Sequence, residues 1–359
     1  MIKTLDRYLL QYFIASLIIV GLAIGLLIVA INMVSELRSF IDHNIPISDI
    51  LTYYVYFAGW VLRSFLPVFV LLASLTSIGI LARRNEILAM KASGISLYRI
   101  SAPILIFTFL LSIGHFYYSE FLFADANKER VEMEQFAIKG RSRRAFNTIN
   151  NLQRQINQQS FYTITTYQID KMLGEDIKIF KSKENKLAEM ITAKSMEYGS
   201  SGWILYNGMQ RIFTDSTDNY TTFDSMIATM IKDKPKDFEK PLNFTEEMGY
   251  NDLSHYIDVM KRTGGKFQKE LVDLKMKVSY PLSSFIVILI CIPIASNPKR
   301  GGIAVSFAVG FGIALLYFVC FKVIQSLARG GSLNPDFSAW IINAVFLLAG
   351  LIIMLKAKK

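Results

Sequence analysis

Residues 67–94 read P-V-F-V-L-L-A-S-L-T-S-I-G-I-L-A-R-R-N-E-I-L-A-M-K-A-S-G. Up to Ala82 the run is apolar or small and carries no charge; at Arg83 it turns basic, and it closes at Gly94. An uncharged stretch of this kind approaches the roughly 20 residues that cross a hydrocarbon core. We read a span over Ser64–Ala82 that begins further upstream, near Leu51, and carries Arg63 inside it. The charged remainder, within the loop 81–99, predicts a short helix. Asn85 is placed to cap it, Glu86 sits in its first turn, and Gly94 can end it. Ile87, Leu88 and Met90 supply apolar knobs, and Arg83, Arg84 and Lys91 surround them. A small helix with such anchors suits a groove on a partner. By composition alone, a basic loop joining two spans would look the same.

Outward from this segment, uncharged runs recur at Tyr8–Ser35, Ile100–Ser119, Val278–Pro298, Gly301–Phe321 and Phe337–Leu355, giving six expected transmembrane helices in a chain of 359 residues. None shows the polar face that a helix of a soluble protein would carry. Lys3, Arg7, Arg83, Arg84, Lys91, Arg99, Lys299, Arg300, Lys356, Lys358 and Lys359 fall on one side of these spans, with only Asp6 and Glu86 as acids. The loop Glu36–Asp49 on the other side has one base, Arg38, against three acids. The excess of Lys and Arg marks the cytosolic face. Both termini and the 81–99 and 296–302 loops are therefore expected in the cytosol, and the 121–276 insert outside. The first apolar run is too long for a signal-peptide core and no cleavage pattern follows it, so it reads as a retained anchor.

The insert changes character near Phe146. Short β-like runs are expected at Ser160–Ile169, Asp176–Lys181, Lys186–Tyr198, Trp203–Thr214 and Thr221–Met230, with turns at Gly174, Gly202 and Thr214–Asn219. Such spacing predicts an external all-β domain of sandwich, barrel or jelly-roll type. Before it, a charged helix-compatible stretch runs to Gly140. After it, Asp252–Thr263 reads as an amphipathic helix stopped by Gly264-Gly265. The expected domains are 1–122 with three spans, 123–270 with the β-domain, and 271–359 with three spans.

The net charge of +10 does not argue for nucleic acid, because the bases near the spans follow from topology. Those in the insert suit an anionic lipid surface. Cys291 and Cys320 both lie in spans, so no disulfide framework is expected. His43, His115 and His255 are isolated and lack metal-ligand spacing. Asn219 and Asn243 match a glycosylation sequon that is common by chance. The closest approach to a phosphate-binding loop, Gly264-Gly265-Lys266-Phe267, lacks the first glycine and the final hydroxyl. No ATP hydrolysis and no cofactor are expected in this chain. Ionisable residues at or inside spans are costly and mark functional sites or buried pairs. Arg63 stands four residues before Pro67, Lys277 four before Pro281, and Arg38, Glu120, Lys275 and Lys322 lie near outer ends. A basic ring of this kind could bind anionic headgroups, while Lys275 and Lys322 could equally snorkel.

Several segments resemble the lipopolysaccharide export permeases of the LptF/LptG family. They are L-D-R-Y-L at Leu5–Leu9, the whole of Pro67–Gly94, K-M-K-V-S-Y-P-L at Lys275–Leu282, and P-D-F-S-A-W-I-I-N-A at Pro335–Ala344. The A-R-R-N-E-I-L-A-M-K-A-S-G run is closer to the LptG pattern. The resemblance implies a half-permease of an ABC transporter in the bacterial inner membrane. It would pair with a second LptF/LptG-type subunit and bind an LptB-like ATPase dimer that uses ATP and Mg. It would extract lipopolysaccharide from the outer leaflet and pass it through a periplasmic β-jellyroll to an LptC-like bridge. It implies a coupling helix around Glu86. Asn32 stands where some members carry a first-span lysine, so that charge would come from Arg38 or Arg63. Two other classes also fit a membrane chain with an external β-domain: a secondary transporter or channel, and a membrane-tethered scaffold with a ligand-binding domain.

Overall fold

The computed structural model describes residues 4–143, 147–157, 159–183, 186–200, 202–213, 218–238, 247–296 and 302–357. The chain forms two compact units, one helical (residues 1–138, 243–251 and 268–359) and one mainly β (139–242 and 252–267). Lys3, Lys299, Arg300, Lys358, Lys359 and the Asn243 sequon lie outside the described residues.

In the helical unit, α1 (Thr4–Asp42) and α2 (Ile47–Arg83) are joined by a tight turn at Asn44, whose φ is positive. The short α3 (Glu86–Ala92) leads to α4 (Leu97–Tyr117) and, after a wide π-helical turn over Tyr118–Leu122, to α5 (Ala124–Glu132). A second π turn covers Met133–Ile138. Ile138 and Met133 pack with Tyr53, Phe57 and Trp60 of α2. Residues 124–138 thus belong with the helices, although the sequence pattern placed them at the start of the insert.

Five described helices are long and apolar enough to cross a membrane, and there are six if a bent pair is counted as one span. That pair is α7 (Gln268–Ser279) and α8 (Ser283–Ala295), which meet at 50°. The sequence predicts a transmembrane helix over Val278–Pro298. The break falls where Pro281 removes an N–H and its ring opposes a continuous turn. The last two spans are α9 (Gly302–Arg329) and α10 (Pro335–Lys356), the latter capped by Asn334 accepting from the Asp336 N–H. The core of the unit is apolar, built on Val70, Leu71, Ile104, Ile288 and Tyr317 among others. Long faces of α1, α9 and α10 stay exposed, including Ile19, Leu26, Leu315 and Leu348, as expected where lipid or another subunit is the solvent.

The β unit is one antiparallel sheet in sequence order: β1 (Thr148–Asn157), β2 (Ser160–Gln168), β3 (Leu173–Lys183), β4 (Lys186–Gly199), β5 (Gly202–Phe213) and β6 (Asp218–Ile227). The described strands therefore form an up-and-down meander rather than the crossed-over order of a jelly roll. Connections of a few residues return each strand beside its predecessor, and a Greek-key crossing needs a longer one. The interior gathers Tyr162, Ile164, Tyr167, Ile177, Ile179, Met196, Trp203 and Phe238.

Alternation of inner and outer residues slips once, at the same level in neighbouring strands. The inward residues flanking the slip are Ile149 and Leu152, Ile164 and Tyr167, Gly174 and Ile177, Ala193 and Met196, and Phe223 and Met226. Registers on either side leave Asn151, Thr165, Asp176, Lys194, Asn207 and Asp224 in one cross-strand row without pairing. Asn151, Asp176 and Asn207, on alternate strands, have φ of 55°, 52° and 50°. Asn and Asp tolerate that left-handed region better than other side chains. One such residue per hairpin creases the sheet without shifting its register. The simple two-residue alternation expected along Trp203–Arg211 therefore does not pass Asn207.

Candidate functional site

Residues 83–99 form a rigid corner. Asn85 does not cap α3 through its side chain, as the sequence suggested. It takes a left-handed conformation (φ 59°), its N–H donates to Ala82 O, and its carbonyl accepts from Ala89 N–H. The residue is suited to the turn between α2 and α3, not to a cap. The other end behaves as expected. Gly94 has φ +85°, its N–H reaches Lys91 O, and the Ile95 N–H reaches Met90 O, both at 3.0 Å. This pair of bonds closes a helix only around a left-handed residue. Ser96 then caps α4 by accepting from the Arg99 N–H.

The corner is fastened to α1. Tyr8 OH donates to Glu86 Oε2 at 2.6 Å, Arg84 Nη1 donates to Tyr12 OH at 3.0 Å, and Arg99 pairs with Asp6. Ile87 is fully buried against Leu9, Leu81 and Ile100, with Met90 beside them. Leu88, by contrast, is 64% exposed. Ala89, Ala92, Ser93 and Arg83 are exposed as well, and Lys91 is half-buried. Glu86 is thus held by α1, and the surface α3 offers is small and apolar around Leu88.

A second constellation lies deep in the helical unit. Lys277 Nζ donates to Glu120 Oε2 at 2.8 Å, and Arg63 Nη2 stands 3.9 Å from Glu120 Oε1. The side chains of Lys277 and Glu120 are 3% and 1% exposed, and that of Arg63 15%. Glu120 is carried by the π turn after α4, Lys277 by the last turn of α7, where a helix end favours a cation. The structure thus brings together three of the residues that sequence analysis singled out. It leaves the others apart: Arg38 near Asp42 and largely in solvent, Lys275 on Asp336 at 2.7 Å, and Lys322 exposed with a bond to Gln325.

Sequence reading missed the donors that surround these charges. Pro67 lacks the N–H that would bond Arg63 O, and His115 Nε2 donates to that carbonyl at 2.8 Å. Tyr280 OH donates to the neighbouring Ser64 O at 2.6 Å. At the second break, Ser283 N–H bonds Tyr280 O, leaving Ser279 O to accept from Asn343 Nδ2 at 2.8 Å. Asn343 Oδ1 in turn accepts from Tyr317 OH. The i, i+4 relation of Arg63 to Pro67 and Lys277 to Pro281 was the available signal. A further buried acid, Asp273, takes Arg329 and Gln325 between α7 and α9. Among the described residues no cluster of His, Cys, Asp or Glu could hold a metal ion.

In the β unit, Asp233 is buried and accepts from Tyr162 OH and Arg262 Nη2, both at 2.6 Å. Burial first, and then the Asp233 carboxylate, hold the Tyr162 phenol neutral, far above its ordinary range. Arg154 bonds Thr263 Oγ1 and Asp237 O. These bonds fix the end of α6 (Tyr250–Arg262) to the sheet.

Apolar spans and a β-sheet inserted in mid-chain define a multi-pass membrane protein. The model of the family described as lipopolysaccharide export system permease LptF/LptG matches residues 7–356, nearly the whole chain. The chain belongs to that family, whose members are permease components of lipopolysaccharide export. No curated protein matches it.

Proposed function

We infer that this chain is one half of an ABC-type permease that lifts lipopolysaccharide from the outer leaflet of the bacterial inner membrane and hands it to a periplasmic bridge. The observation that carries the reading is α3. It is a seven-residue helix locked to α1 and α2, with Leu88 turned outward. A helix that transmits force must be tied to the spans it moves and must offer a knob to the motor. The basic residues Arg83, Arg84, Lys91 and Arg99 support a cytosolic position for it. ATP and Mg are used by an LptB-like ATPase dimer, since no phosphate-binding loop is evident in the sequence. The second half is another LptF/LptG-type subunit, and on residues 82–94 we take this chain as the LptG type.

The β unit is periplasmic in this reading. Strands β1 and β6 each pair on one side only among the described strands, and such an edge accepts an added strand from an LptC-like protein. Arg38, Lys275 and Lys322 are the exposed or half-exposed cations suited to anionic headgroups. Arg63, Lys277 and Glu120 act by holding the helices beside them.

The test is Glu86→Lys in the assembled complex, with ATPase recovery and lipid release measured together. Loss of recovery, or hydrolysis without release, is expected. Wild-type values for both would remove α3 from its coupling role.

A further inference from the structure

Pro67 lies inside the continuous α2 and Pro281 in the turn between α7 and α8, and beside each a backbone carbonyl is taken by a side chain from elsewhere in the bundle. In α2, Pro67 strands Arg63 O, which His115 takes, and Tyr280 OH reaches the adjacent Ser64 O. Between α7 and α8, the turn at Pro281 leaves Ser279 O to Asn343. A buried carbonyl without a donor is costly, most of all where lipid excludes water. Broken helices persist in membranes only when neighbours supply these bonds. Tyr280 belongs to both sites. Its backbone lies in the break between α7 and α8, its hydroxyl bonds α2 beside Pro67, and its ring stands 6.1 Å from His115 and 5.7 Å from Phe321. The charges sit one turn before each proline, Arg63 and Lys277, and both face Glu120.

We propose that Tyr280 and Asn343 are positioning residues of the Arg63–Glu120–Lys277 cluster. They tie the Pro67 turn of α2 to the break between α7 and α8, so that Arg63 and Lys277 converge on Glu120 only while α7 and α8 stay bent. This rests on the permease reading above. The two residues act through the angle between α7 and α8 and through their hold on α2 beside Pro67.

The test uses the complete permease complex with its ATPase in vesicles, reading lipid released per assembled complex. Release by the wild-type complex checks the permease reading on its own, so the failure of that reading is visible before any variant is compared. Tyr280→Phe keeps the ring and loses the hydroxyl. Asn343→Leu keeps the volume and loses the donor. Each is expected to assemble and to release less lipid per complex: about tenfold less for Asn343→Leu, the order of one buried carbonyl left without its bond, and about fivefold less for Tyr280→Phe, the order of one lost hydrogen bond. Release at the wild-type level from either variant overturns the proposal, as would a loss confined to assembly with normal release per complex. Because Asn343→Leu could misfold, a third variant adds Pro281→Ala, which restores an N–H and permits a continuous helix. That double variant should assemble at wild-type yield yet release as little lipid as Asn343→Leu. Full release from it, or its failure to assemble, contradicts the proposal, because the break would not be what Asn343 serves.

Discussion

Removing the carboxylate at Glu120 should cost more than removing the ammonium that binds it. Glu120 lies 2.8 Å from Lys277 and 3.9 Å from Arg63. At an effective dielectric constant near 20, those separations correspond to gross attractions of about 6 and about 4 kcal/mol. Desolvation offsets much of this, and removing one partner of a buried pair costs a net ~3–5 kcal/mol. Glu120→Gln leaves two cations facing each other in the interior and should fall at the top of that range. Lys277→Met leaves Glu120 opposite Arg63, which retains roughly two-fifths of the gross attraction, so it should cost roughly half as much. The double variant should be no worse than Glu120→Gln, because Lys277 has no carboxylate left to lose. The assay is a double-mutant cycle on unfolding free energies from detergent titration of the purified chain. Equal costs for the two single variants, or a larger cost for Lys277→Met, would refute the shared-carboxylate arrangement.

Three further outcomes follow from the geometry. Tyr8→Phe removes the 2.6 Å bond to Glu86 and should weaken the fastening of α3 by about 1.5–3 kcal/mol, seen as lower lipid release per ATP hydrolysed with ATPase binding kept. Asn207→Val should destabilise the β unit by ~1–2 kcal/mol in thermal unfolding, whereas Asn207→Gly should be close to neutral, because only the valine resists φ 50°. Photocrosslinkers at Trp203 and Leu205 should report the interior of the sheet, and beyond Asn207 the inward set should move to Gly208 and Gln210; labelling on one unbroken parity through Arg211 would disprove the crease.

Much of this architecture is legible in the residues because bilayer physics is a coarse filter. Uncharged runs of membrane length announce the spans, and β2 to β6 follow runs of β-branched and aromatic residues with turn residues between them. Strand β1 was not legible: N-T-I-N-N-L-Q-R-Q-I-N is rich in Asn and Gln, its apolar core residues are Ile149, Leu152 and Ile156, and its most buried residue is a charged one, Arg154. The crease was hidden for a related reason. Asn151, Asp176 and Asn207 look like ordinary polar outer positions until their cross-strand alignment is known. At the polar cluster, the charges and their distance from each proline could be read along the chain. The partners could not, because His115, Tyr280 and Asn343 come from other helices far along the chain. Asn85 shows the opposite error, a residue type that favours both caps and left-handed turns, where only geometry decides between them.

In the proposed function a separate ATPase drives lipid through this chain by way of α3. The most direct measurement is lipopolysaccharide release from vesicles carrying the purified complex, followed with and without ATP and with Glu86→Lys in place of the native chain. The account predicts a P-loop ATPase co-purifying with the native chain, release only with ATP, and loss of that release in the variant. Release that proceeds without ATP, or a functional complex containing no ATPase, would contradict it.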